Sequence, residues 1–255
     1  MTNKEILDIA MQQSAYDLNA KASDFLMDTN VFVKFDLGPL ARKYYKEPIA
    51  CNLVSYGNNI VASVKDEVKE IVEAYLGKFE FYHCFETPNL HWLDERMKEK
   101  GFRVCFMAEY FLPDVNVLKR RECKYKLKVL EQKDFADLYI PAWSNALCED
   151  RKQRDILGVG AYDNGKLIGL AACSADCDDM WQIGVDVLPE YRRQGIASSL
   201  TSNLAMEIIA RGKVPFYCCA WSNLKSLKNA LRSGFVPAWV EMTVKDSSAV
   251  EDMNK

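Results

Sequence analysis

The stretch from Val185 to Ala197, V-D-V-L-P-E-Y-R-R-Q-G-I-A, constrains this chain more than any other. It reads as a short β-branched strand ended by Pro189, then a turn of two arginines, a glutamine and a glycine. A helical segment follows, Ser198 to Arg211. The first amides of a helix have no partner inside it and sit at the positive end of its dipole. A strand that feeds a basic turn at a helix start is therefore a place for an anion. Gly195 can take a backbone conformation that other residues avoid, and it lets a phosphate come close.

The rest of the composition excludes several classes. At 255 residues the chain holds one large domain or two ordinary ones. A net charge of −3 with no long Lys/Arg run argues against a nucleic-acid partner. No apolar run approaches the roughly 18–20 residues of a membrane helix, so no membrane partner is expected. The start, M-T-N-K-E-I-L-D, is acidic and lacks a signal-peptide core, and the nine cysteines are odd in number and scattered. Both point to reduced thiols and a cytoplasmic location. Cys173, Cys177, His83 and His91 do not make a four-ligand set, so no metal is expected. Cys218 and Cys219 read as small apolar strand residues.

Along the chain, residues 1 to about 30 look helical. Ala50 to Ser55 and Ile60 to Val64 read as strands, with Asp66 capping a helix to about Leu76. Phe79 to Phe85 reads as a strand, Pro88 to Lys100 as a helix stopped by Gly101, and Phe102 to Leu112 as a long strand. The polar segment Pro113 to Arg121 marks a domain boundary, giving domains 1–120 and 121–255. Beyond it, Tyr125 to Leu130 is a strand, Lys133 to about Leu147 is helical, and a further helical stretch runs near Glu149 to Arg154. Gly158 to Tyr162 and Lys166 to Ser174 form a hairpin through Asp163-Asn164-Gly165. Trp181 to Val187 and Phe216 to Trp221 are strands, and Asn223 to Ser233 is a helix capped by Gly234. Ala238 to Val244 is the last strand, with a frayed tail from Lys245. F-Y-H-C-F-E-T-P-N-L-H-W-L from Phe81 parallels F-Y-C-C-A-W-S-N-L-K-S-L from Phe216, and Gly101-Phe102 parallels Gly234-Phe235. The N-terminal part thus reads as a reduced copy of the C-terminal one; chance agreement of two strand–helix–Gly–strand units is the alternative.

From Tyr125 to Val244 the chain resembles the GNAT superfamily of acetyl-CoA-dependent N-acetyltransferases. Its central motif stands as Arg192, Gly195 and Ala197 after Val187-Leu188-Pro189. The later motif stands as Asn223, Ser226, Leu227 and Gly234-Phe235. The whole chain is similar to two-domain bacterial members with a GNAT-like N-terminal portion. The resemblance implies an α/β fold with a mixed, mostly antiparallel sheet, helices on both faces and a smaller α/β N-terminal domain. It implies acetyl-CoA as co-substrate and the primary amine of a small acceptor as its partner; the oligomeric state stays open. Arg192, Arg193, Gln194, Gly195, Ile196 and Ala197 would hold the pyrophosphate. Val185 and Val187 would pair with the pantetheine arm, and Asn223 and Ser226 would touch it.

The chain also departs from the family. Where many members carry an acid tyrosine, Ala230 stands here. The acid is then Ser222, a water, a tyrosine from another segment, or absent. The candidate base is Asp186; Asp176, Asp178, Asp179, Glu149 and Asp150 are alternatives that read more readily as solvated turns. Trp143 and Trp181 wall an acceptor site or belong to the core. A catalytically weak acyl-CoA-binding regulatory module is the rival to an active transferase.

Overall fold

The computed structural model describes residues 1–45 and 48–254. Contacts divide the chain into two units, neither of them one continuous stretch. One joins Met1–Ala10 to Tyr110–Pro237, and the other joins Met11–Glu109 to Ala238–Lys255. The expected mixed, mostly antiparallel α/β architecture is the one found.

In the unit that contains Met11–Glu109, helix α1 (Asn3–Leu18) ends where Asn19 turns left-handed at φ 59°. Asparagine tolerates that conformation and stops a helix there. The helix expected to residue 30 therefore gives way to a 3-10 turn at Ala22–Leu26 and a strand, β1 (Val31–Lys34). Strands β2 (Ile49–Ser55) and β3 (Val61–Val64) are buried along their whole length. Helices α2 (Lys69–Lys78) and α3 (Thr87–Glu99) follow, then β4 (Phe102–Pro113). β3 pairs parallel with β1 and antiparallel with β2.

The strand expected at Phe79–Phe85 is instead a 3-10 turn over Phe81–Phe85. The Tyr75 hydroxyl donates to the Cys84 carbonyl at 2.7 Å, drawing the segment back onto α2. Here packing of aromatic side chains overrides their strand preference. The tail expected to fray is also ordered. After β10 (Phe235–Asp246), α6 (Ser247–Met253) begins where the Asp246 carboxylate accepts from the Ser248 amide at 2.9 Å.

The other unit carries β5 (Lys126–Glu131), β6 (Asp155–Asp163), β7 (Lys166–Ser174), β8 (Met180–Val187) and β9 (Val214–Cys219). Their order is β9–β8–β7–β6–β5. β6 and β7 meet through Asn164 and Gly165 at φ 47° and 87°, the two left-handed residues of a tight hairpin. Helix α4 (Ile196–Ala210) crosses from β8 to the parallel β9, burying Ile196, Leu200, Leu204 and Ile208 in the core. Helix α5 (Leu224–Arg232) ends at Gly234, whose φ is 94° and whose missing Cβ would lie 2.8 Å from the Leu118 Cα.

The helix expected over 133–147 is absent. Only short 3-10 turns form at Gln132–Phe135 and Pro141–Trp143, with Ile140 extended between them (φ −131°, ψ 159°). Pro141 bars its predecessor from the helical region, so the segment cannot wind through. Among the described residues no helix is long and apolar enough to cross a membrane.

Candidate functional site

β8 and β9 pair for only three residues, Met180 with Val214, Trp181 with Pro215 and Gln182 with Phe216. Beyond that point both strands continue without pairing to each other, while β8 stays paired to β7 as far as Val187. The edge of β8 that faces β9 is therefore open from Ile183 onward, and a cleft of about 780 Å³ is lined by both lips. Open strand edges offer main-chain donors and acceptors to a ligand that can lie alongside.

At the end of β8 lies the basic turn. Arg193 and Gly195 are both left-handed, at φ 62° and 80°. Alternation of this kind turns successive amides toward one concavity. A Cβ on Gly195 would meet nothing within 4 Å, so glycine serves the backbone angle and leaves open space before it. Among the described residues no acceptor faces the amides of Gly195, Ile196, Ala197 or Ser198. The turn is held from outside: Arg192 Nε donates to the Val187 carbonyl at 2.9 Å, and the Tyr125 hydroxyl to Gln194 Oε1 at 3.1 Å.

Of the residues assigned from sequence, Val185, Asp186, Val187, Arg192, Arg193, Gly195, Ile196, Ala197, Asn223 and Ser226 all line this one cleft. Gln194 and Ser222 do not; Gln194 is turned to Tyr125, and Ser222 is exposed ahead of α5. Asn223 caps α5 through its side chain, which accepts from the Ser226 amide at 3.2 Å. Asp186 holds the loop across the cleft: its carboxylate accepts from the Asn145 amide (2.8 Å), Asn145 Nδ2 (2.7 Å) and the Ala146 amide (3.0 Å). Asp176 is buried and paired with Arg151 and Arg154, so it is no free acid. Trp143 is buried in a second core cluster, and Trp181 packs on the main core.

Sequence reasoning passed over Tyr217. It stands on β9, lines the cleft, and its hydroxyl lies 2.7 Å from Ser226 Oγ. Burial pushes the phenol above its ordinary pKa, while hydrogen bonds with Ser226 and Asn229 act the other way. It is the sole tyrosine after Arg192, and that was the signal available.

Gln182 pairs with Ser174, and Ser174 with Asp155, so these residues mark the far end of the cleft from the turn. The five residue steps along the strand from Gln182 to Val187 separate the two ends by roughly 16 Å. Asp155 is buried there, and desolvation raises its pKa. Gly184 is where the strand and the 144–148 loop touch: a Cβ would fall 1.8 Å from the Asn145 carbonyl oxygen. Gly184→Ala must displace that loop and loosen its three bonds to Asp186. We expect turnover in this variant to fall by more than tenfold, with a stability loss of about 1–3 kcal/mol. Wild-type kinetics in Gly184→Ala would show that the loop does not shape the site.

Comparison with known proteins follows the same lines. Residues 57–238 match the model of a family described as GNAT acetyltransferase. No curated protein sequence matches the chain. Among solved structures, a GCN5-related N-acetyltransferase from Kribbella flavida is 17% identical over 62% of this chain and 64% of its own, with a TM-score of 0.47. A GCN5-related N-acetyltransferase-like protein from Streptococcus suis is 18% identical over 62% of this chain and 68% of its own, with a TM-score of 0.45. The chain spans about two thirds of the length of these structures.

Proposed function

The chain belongs to the GNAT acetyltransferase family, and on that footing we propose that it transfers an acetyl group from acetyl-CoA to the primary amine of a small acceptor by direct attack. One observation carries the reading. The unpartnered amides from Gly195 to Ser198 open onto the same cleft as the unpaired edge of β8. A helix N-terminus with Arg192 and Arg193 beside it suits a diphosphate, whose charges need no rearrangement of the protein to be met. The β8 edge from Val185 to Val187 suits the amides of a pantetheine arm. Near the point where β8 and β9 part, a strand amide without a partner would face the thioester oxygen and stabilise the charge that builds on it.

In such a transfer the C–N bond forms as the C–S bond breaks, the amine loses a proton and the sulfur gains one. We assign the protonation of the sulfur to Tyr217. Its hydroxyl reaches Ser226 in the cleft, and burial raises its pKa above the ordinary phenol value. Ala230, where the helix would otherwise present a tyrosine, is fully buried. The two substrates share one cleft, so holding them in register supplies much of the rate.

Calorimetry with acetyl-CoA and thiol release over an amine panel test the proposal together. Binding, with free thiol appearing only when an amine is present, is the expected result. Binding without turnover on any amine would instead support an acyl-CoA-binding regulatory module. No binding at all would remove both readings.

A further inference from the structure

We infer that the acceptor carries a carboxylate beside its amine and that Arg151 receives it; this rests on the acyl-transfer reading above. Five cations line the cleft, and four of them, Arg192, Arg193, Lys225 and Arg232, lie on the basic turn or on α5. Arg151 alone stands at the far end, with Cys148, Asp155, Ser174 and Gln182.

Its charge is only partly offset: Asp155 acts on it through space, and its one carboxylate contact is shared. Asp176, 1% exposed, takes one nitrogen from Arg151 at 2.5 Å and one from Arg154 at 2.8 Å, so a single carboxylate serves two guanidinium groups. The Ser174 hydroxyl occupies the other Asp176 oxygen at 2.9 Å. Arg151 Nε points to Cys148 Sγ at 3.4 Å, which fixes the plane of the fork while the side chain stays 26% exposed. A guanidinium held this way is pre-organised and keeps donors for a planar anion.

The acidic residues of the cleft point to the same conclusion. Asp186 already accepts from three N–H donors. Asp155 is buried and accepts from the Cys148 amide at 2.9 Å, with its pKa raised by desolvation. Asp155 is withdrawn from solvent, and Asp186 is already engaged by the loop, so neither is free to take the second charge of a polycation. A polyamine would bring its extra ammonium against Arg151, which costs affinity. An amino acid or a short peptide instead brings a carboxylate to it.

The test pairs each amino acid with its decarboxylated amine: lysine with cadaverine, phenylalanine with phenethylamine, alanine with ethylamine. Thiol release is followed with acetyl-CoA affinity measured on the same samples. Wild type should favour the carboxylate-bearing member. Arg151→Gln should raise its KM by about 10- to 100-fold, the effect of one charge-assisted contact. Acetyl-CoA affinity and the kinetics with the decarboxylated partner should not change. Arg151→Lys, which keeps the charge but not the fork, should fall between. Arg154→Gln leaves Asp176 to Arg151 alone and should raise the same KM, by less than Arg151→Gln does. Equal losses on both members of a pair, a wild-type preference for the decarboxylated amines, or bound acetyl-CoA with no turnover of either set would each overturn the assignment. Failure to bind acetyl-CoA would strike the transferase reading instead.

Discussion

Gly195→Trp is expected to abolish acetyl-CoA binding, with affinity falling by at least about a hundredfold, while the protein still folds. Two effects act together. The indole would fill the open space before Gly195, the position assigned to the diphosphate. A bulky residue would also be held at φ 80°, where L-residues pay about 1–2 kcal/mol of strain. That strain is small against the stability of a domain, and the turn is exposed, so melting should shift by only a few degrees. Calorimetry gives the affinity and a thermal melt gives the fold. Unchanged affinity in a folded Gly195→Trp protein would place the anion elsewhere and remove the main support for the proposed reaction.

The second large effect is expected at Tyr217. Tyr217→Phe keeps the ring that packs against Phe235, with centroids 6.2 Å apart, and removes only the hydroxyl that meets Ser226. We expect kcat to fall about 10²-fold, the low end for a positioned acid, because a thiolate already leaves well. The KM for acetyl-CoA should hold, since the turn proposed to hold the diphosphate is untouched. A purely structural role would move KM, melting and kcat together. An unaltered kcat would assign the sulfur's proton to water.

The basic turn, the 164–165 hairpin and the glycine stops at 101 and 234 were legible because each rests on local backbone chemistry. Asn164, Gly165, Gly101 and Gly234 all adopt the left-handed angles that their residue types favour. The misread segments depend on packing or on one overlooked neighbour. Phe81–Phe85 has the composition of a strand, yet the bond from Tyr75 coils it. Residues 133–147 look helical until the effect of Pro141 on Ile140 is counted. The repeat reading meets a mixed result at this level. Gly101 and Gly234 both end helices and precede strands, but Phe81–Phe85 coils where Phe216–Cys219 is extended. The cleft residues on β8, α4 and α5 could be named from motif order. Tyr217 could not, because its role depends on a strand and a helix meeting in space.

The gap between β8 and β9 has a consequence for solubility. Bare strand margins usually sit at the rim of a sheet, where another chain can add itself and begin a polymer. This one faces a second strand, β9, and is closed on the far side of β8 by β7. A whole polypeptide, with side chains above and below its plane, is too thick to slip into such a slot, whereas a slender unbranched tail bearing a few amides can thread it. Such a gap would leave hydrogen-bonding backbone open to a slender ligand while denying it to another polypeptide.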